Sequence, residues 1–212
     1  MNVSDLLPDV LVHTPEVPDM LAERQLVLTT KEFCNKTKYW REDLAPLYLI
    51  ANIDTYRLIT PPDSIIYELV FISHASGGRL TVTTPHKLLT EDPTWRDRTG
   101  NPPTHFFRDG TDEVRLYPVP SANEAGTVIP RAVLTPSNDA TTLPDVVLND
   151  YYDAIVSGAV ARLQRMPGKE WTQPKYSAAH EAAFQTAVMN ASARATDGRQ
   201  TGVARKVRYG GI

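Results

Sequence analysis

Between residues 144 and 196 apolar side chains fall at the spacing of two amphipathic helices, which leaves this chain few ways to fold. In the first segment Tyr152, Ile155, Val156, Ala159, Leu163 and Met166 recur at i, i+3, i+4, i+7, i+11 and i+14. That spacing lines one face of a 3.6-residue helix. Pro167-Gly168 then ends the pattern, because proline cannot continue the hydrogen-bond ladder and glycine readily takes the left-handed turn. In the second segment Tyr176, His180, Ala183, Phe184, Ala187, Val188, Ala191 and Ala195 form another stripe. Thr172 or Gln173 precedes Pro174 in the order of a cap and a first-turn proline, and Gly198 lies just past the end. Two such helices joined by about seven residues are expected to pack as an antiparallel hairpin.

The remainder of the 212 residues is long enough to add a second module to that hairpin. With 42% hydrophobic and 22% charged residues the chain reads as a soluble globular protein. No apolar run approaches the roughly 18–20 residues that span a bilayer, so no membrane association is expected. The start, Met1 to Asp5, lacks the basic and apolar regions of a signal peptide. Cys34 is the one cysteine, which excludes an intramolecular disulfide and fits a reducing compartment. A net charge of -3 argues against bulk electrostatic capture of nucleic acid.

Taken in order, Leu6, Leu7, Val10 and Leu11 predict a short first helix with Ser4 or Asp5 as cap and Pro8 in its first turn. A second helix is expected from Pro18-Asp19 to about Tyr39, with Met20, Val27 and Cys34 seven apart on one face beside Leu21 and Leu28. Cys34 reads there as a small core residue rather than a reactive thiol. From about Leu44 the period changes to that of strands. Leu47, Leu49 and Ala51 alternate, Tyr56, Leu58 and Ile59 follow, and 65–73 is a near-continuous apolar run expected to be a buried strand. Ser76-Gly77-Gly78 followed by Leu80, Val82 and Thr84 predicts a hairpin. Residues 85–103 read as a polar, proline-bearing stretch with Leu88, Leu89 and Trp95 as anchors. A second hairpin is expected around Asp109-Gly110, from His105-Phe106-Phe107 to Val114-Arg115-Leu116-Tyr117, and a last strand at 127–134.

The expected fold is therefore α+β, with about six strands between helices. A bundle of N- and C-terminal helices (1–43 and 144–198) carries an inserted antiparallel β module (44–143), either a sandwich or an open barrel, and an extended C-terminal tail (199–212). The tail holds Arg199, Arg205, Lys206 and Arg208, no acidic residue, and Val207, Tyr209 and Ile212 as its larger apolar groups. Three readings of it stand: strand addition or groove docking on another protein, an unpartnered terminus, and a nucleic-acid-binding arm.

Catalytic and cofactor motifs are not found. There is no Gly-rich phosphate loop, His-Glu-x-x-His helix or Cys-x-x-Cys pair. His13, His74, His86, His105 and His180 lack metal-ligand spacing. Ser157-Gly158 lies within a helix rather than on a strand-to-helix elbow. Asp109, Asp112 and Glu113 cluster at a turn where solvated Asp-Gly turn chemistry accounts for them better than a cation does. No enzyme activity, metal or cofactor is expected.

The opening Ser4-Asp5-Leu6-Leu7-Pro8-Asp9-Val10-Leu11, then Pro18 and Phe33-Cys34-Asn35-Lys36-Thr37-Lys38-Tyr39-Trp40, resembles the first helices of the head-to-tail adaptor (connector) proteins of short-tailed bacteriophages, the tail-tubular-protein-A-like family. Pro102-Pro103-Thr104-His105-Phe106 and Glu113-Val114-Arg115-Leu116-Tyr117-Pro118-Val119-Pro120 are similar to that family's β module. Pro167-Gly168-Lys169-Glu170-Trp171, His180 and Phe184 follow its closing helices. The resemblance spans nearly the whole chain. It implies a structural virion protein of the neck, assembled in the host cytoplasm into a ring, usually of twelve. Such a ring joins the portal protein to the tail nozzle or tail tube protein, and DNA passes through its channel without specific binding. By the same resemblance Arg205, Lys206, Val207, Arg208 and Tyr209 are candidates for portal docking, and Asp109 and Gly110 for a tail or neighbour contact.

Overall fold

The computed structural model describes residues 1–76 and 78–196. A 3-10 turn at Val3–Leu6 runs into α1 (Leu7–Leu11). Asn2, rather than Ser4 or Asp5, precedes this turn, and its N–H donates to the Asp5 carboxylate at 3.1 Å. Helix α2 (Asp19–Thr37) begins after Pro18 and ends at Lys38, which takes a left-handed φ of 52° and donates its N–H to the Cys34 carbonyl.

The buried face of α2 differs from the expected one. Val27 and Cys34 are buried, but Met20 is 81% exposed, and Thr29, Thr30 and Thr37 turn inward with Ala22, Leu26 and Phe33. The hydroxyls of Thr30 and Thr37 donate to the carbonyls of Leu26 and Phe33 at 2.9 and 2.7 Å. With their polar atoms satisfied one turn back, these threonines pack as apolar groups.

Between α2 and the closing helices the described residues hold eleven strands, many of only two or three residues. They are β1 (Arg41–Asp43), β2 (Leu47–Leu49), β3 (Thr55–Arg57), β4 (Ser64–His74), β5 (Gly78–Arg79), β6 (Thr81–Val82), β7 (Thr99–Gly100), β8 (His105–Arg108), β9 (Glu113–Tyr117), β10 (Val119–Pro120) and β11 (Glu124–Pro136). The long β11 is the spine of one sheet, flanked by β1 and β2 on one side and β4 on the other, all antiparallel. A second sheet runs β3-β9-β8-β6 and contains the expected hairpin, with Phe106 opposite Leu116.

Three expectations for this region are corrected. Strand β4 is not a buried strand: Ile66 and Ile72 point inward, whereas Ile65, Tyr67 and Val70 are 37, 44 and 38% exposed. On its outer side it has strand partners only at Ser73 and His74, in β5, with the Leu80 N–H donating to the Ile72 carbonyl beside them. The turn after β4 closes just those two pairs, because β6 leaves to pair in parallel with β8. The stretch 85–103 contains a helix, α3 (Pro85–Glu91), capped by Thr84, whose hydroxyl accepts from the Lys87 N–H at 3.2 Å. Leu88 and Trp95 are buried against Phe107, while Leu89 faces solvent.

The closing helices are α4 (Asp145–Gln164) and α5 (Pro174–Thr196), antiparallel as expected. Ser177 Oγ donates to the Ala161 carbonyl at 2.9 Å and sets their register. Helix α4 is buried beyond its single stripe, with Gly158, Val160, Ala161 and Gln164 also inside, because α1, α2 and α5 all pack on it. At Tyr151 its backbone leaves helical geometry (φ −136°, ψ 26°), where the ring wedges between Phe33 and Tyr39 with centroids 4.9 and 5.0 Å away. On α5 the stripe narrows to Ser177, Phe184, Val188, Ala191 and Ala195; Tyr176 and Ala183 of the expected face are exposed. One continuous core joins helices and sheets, from Leu26 and Phe184 through Leu134 to Phe106 and Val114.

Asp63 clips the β module to the loop entering α4. It sits at φ 57°, and one carboxylate oxygen accepts from the N–H and hydroxyl of both Thr141 and Thr142 at 2.7–3.1 Å. These donors, the Thr142 hydroxyl first, hold its carboxyl below the ordinary value of 3.8. Because the folded value is depressed, the contribution to stability is present above pH 3.8 and lost as pH falls through the folded value. Asp63→Asn keeps a residue tolerant of positive φ, so its denaturant midpoint is expected to trail the wild type near neutrality and converge with it as pH falls through the folded value.

Candidate functional site

The charged and apolar surfaces of a chain without catalytic motifs are its candidate sites. The Asp109–Gly110 turn is built by the β8–β9 register: the Asp109 N–H donates to the Glu113 carbonyl at 3.0 Å. Gly110 takes φ +90°, and no atom lies within 4 Å of where a Cβ would project. Two of the three acidic groups of the tip, Asp109 and Asp112, are already paired with arginines. Arg115 Nε lies 2.8 Å from Asp109 and Arg57 Nε 2.8 Å from Asp112. The Arg115 contact is an ion pair whose N–H direction falls short of a hydrogen bond. The turn therefore offers an exposed tip rather than a cation cage. Among the described residues no three His, Cys, Asp or Glu side chains converge in a metal-binding arrangement.

The histidines separate into different environments. His13 and His180, distant in sequence, meet edge to face with centroids 5.0 Å apart. Burial and the nearby His13 lower the His180 pKa. His74 is held at the end of β4. The Ser76 N–H can only donate, so Nδ1 accepts it at 3.2 Å, which leaves Nε2 to carry the proton shared with Glu124 at 2.8 Å. That bond, then one from Thr127, keeps the Glu124 carboxyl low.

A recess of about 370 Å³ between α1 and α4 is acidic, lined by Asp9, His13, Tyr152 and Asp153. The Tyr152 hydroxyl donates to Asp9 at 2.6 Å. Its pKa is pushed up to about 12, by burial first and then by Asp9, Asp153 and Asp5. A second recess, of about 540 Å³, lies between the first half of α2 and the loop after β11, and is mostly apolar.

Cys34 is fully buried, and burial pushes its thiol up to about 12. It is expected to resist a thiol reagent in the native protein and to react at once in denaturant. Rapid labelling of native protein would contradict that placement.

Among the described residues, large apolar side chains left exposed are concentrated in the β module: ten of fifteen lie between Tyr48 and Ile129. Tyr48, Ile50 and Ile53 are all exposed within one short stretch of chain. The portal-docking candidates Arg205, Lys206, Val207, Arg208 and Tyr209 lie outside the described residues. Sequence reading did not reach the two recesses or the Asp63 clip, whose partners are far apart in the chain.

The family model described as SU10 adaptor protein matches residues 1–207. The chain belongs to the SU10 adaptor protein family. This is a family of phage head-to-tail adaptors, so the protein is a structural component of the virion neck rather than a member of an enzyme family. No curated protein matches the chain. No helix of the described adaptor is long and apolar enough to cross a membrane.

Proposed function

We propose that this adaptor forms a ring, twelve-fold, between the portal protein and the tail nozzle or tail tube protein, with genome DNA passing through its channel. The family match over residues 1–207 carries this reading. The helical part (1–43 and 144–198) faces the portal, and the β module (44–143) faces the tail. Arg205, Lys206, Val207, Arg208 and Tyr209 dock on the portal, and the Asp109–Gly110 tip contacts the tail or a neighbouring copy.

Two observations support the finer reading. The exposed Tyr48, Ile50 and Ile53 surface suits a partner or neighbouring subunit that covers it. The tail carries four cations and no acid, which leaves a formal −7 on residues 1–198. A negative body does not grip the DNA that slides past it.

Deleting residues 199–212 is expected to leave the body folded and to abolish binding to an assembled portal. Unchanged portal affinity would remove the docking role. DNA affinity that rises at low salt and disappears on charge reversal of Arg205, Lys206 and Arg208 would favour a nucleic-acid arm instead.

A further inference from the structure

The groove between α2 and the loop after β11 is an apolar surface that none of the described residues covers. Pro18, Met20, Leu21 and Val27 line one side and Ala140 the other. Its volume, about 540 Å³, falls within the roughly 300–1,000 Å³ of cavities that bury small ligands. Met20 is the most exposed large apolar side chain of the described residues, and its unbranched thioether adapts to whatever covers it. Glu23 and Asp139 add two carboxylates against one cation, Arg24, and neither carboxylate has an ion pair among the described residues.

The occupant that fits is the chain's own C-terminal segment. In an extended strand Val207 and Tyr209 point to one side, and Lys206 and Arg208 to the other. The first pair suits the apolar wall and the second the carboxylates. Reach is sufficient as well. With Ser177 over Ala161 and Phe184 against Gly158, the antiparallel register brings Thr196 to the level of the first turn of α4. That turn follows the groove's own residue Ala140 by five positions, which extend at most about 18 Å. Sixteen residues follow Thr196, enough to span about 50 Å when extended.

We propose that in the free adaptor residues 199–212 lie in this groove of their own chain, and that portal binding draws them out. The groove then keeps Val207 and Tyr209 away from other partners until the portal competes for them. The second half of this statement rests on the portal-docking reading above; the first half does not.

Two cysteines in the full-length protein test it: Arg24→Cys at the groove with Gly210→Cys in the tail, joined by a short bismaleimide. Cys34 is buried and stays silent. Docking raises the local concentration of one thiol near the other. The cross-linked product at monomer mass is expected to exceed that of a control pair, Tyr48→Cys with Gly210→Cys, by about fivefold or more. Equal yields, or product found only at dimer mass, would overturn the intramolecular contact. Met20→Lys, which removes the apolar contact and sets a cation against the cationic tail at a solvent-facing position, is expected to lower the cross-link and speed portal association several-fold. An unchanged association rate would overturn the coupling to the portal. Loss of portal binding on tail deletion with no cross-link would discard the groove and leave the docking role intact.

Discussion

Gly158→Val is expected to lower the stability of the adaptor by about 3 kcal/mol or more, and Gly158→Ala by a smaller amount of the same sign. A Cβ at this position would stand 2.6 Å from Thr29 Cγ2 and 2.8 Å from Phe184 Cδ2. Three helices meet there, so no single one can retreat without opening its other contacts. An alanine gains about 1 kcal/mol of helix propensity over glycine, but overpacking a close-packed core costs about 1–3 kcal/mol, and two contacts below 3 Å place this site at the upper end. Thr29→Ala supplies the control. It removes the clashing methyl together with a hydroxyl that has no hydrogen-bond partner, so alone it is expected to cost little. Combined with Gly158→Ala it should recover much of the loss, giving a coupling beyond additivity in urea denaturation. Additive effects would show that the helices do not cross at these atoms.

Phe33→Ala is expected to cost about 3–5 kcal/mol. Phe33 is fully buried on α2, with Tyr151 4.9 Å, Phe184 6.3 Å and Tyr39 6.4 Å from its centroid. It therefore joins both closing helices to the residues leading out of α2. A domain of this kind is stable by about 5–15 kcal/mol, so the substitution takes a large share and a shift in denaturation midpoint reads it directly. Met20→Ala, on the same helix but facing solvent, should move the midpoint by no more than about 0.5 kcal/mol equivalent. Similar effects at the two positions would contradict the orientation of α2.

That orientation marks the limit of what periodicity conveys. The closing helices were legible because Ile155, Ala159, Leu163, Phe184 and Val188 repeat the helical spacing in apolar letters alone. On α2 the buried face includes Thr29, Thr30 and Thr37, which count as polar in the sequence and as apolar once their hydroxyls are bonded back or enclosed. Strand β4 has the composition of a central strand but strand partners on its outer side only at Ser73 and His74, a distinction that depends on where β6 goes rather than on β4 itself. Helix α3 carried a cap and a first-turn proline in Thr84-Pro85, but it buries only Leu88 and so shows no stripe. The Asp109–Gly110 turn was legible, whereas the pairing of Arg57 with Asp112 was not, since β3 and β9 meet only in the folded sheet. The two recesses, like the meeting of His13 with His180, depend on packing between segments well over a hundred residues apart.

The central claim is that this chain joins a portal to a tail as a ring. Its most direct test is the mass of the full-length protein, alone and mixed with its assembled portal, by light scattering after gel filtration. The account predicts a discrete complex whose added mass corresponds to twelve copies and which does not form when residues 199–212 are deleted. A portal that elutes with its own mass unchanged, in the presence of folded adaptor, would contradict it.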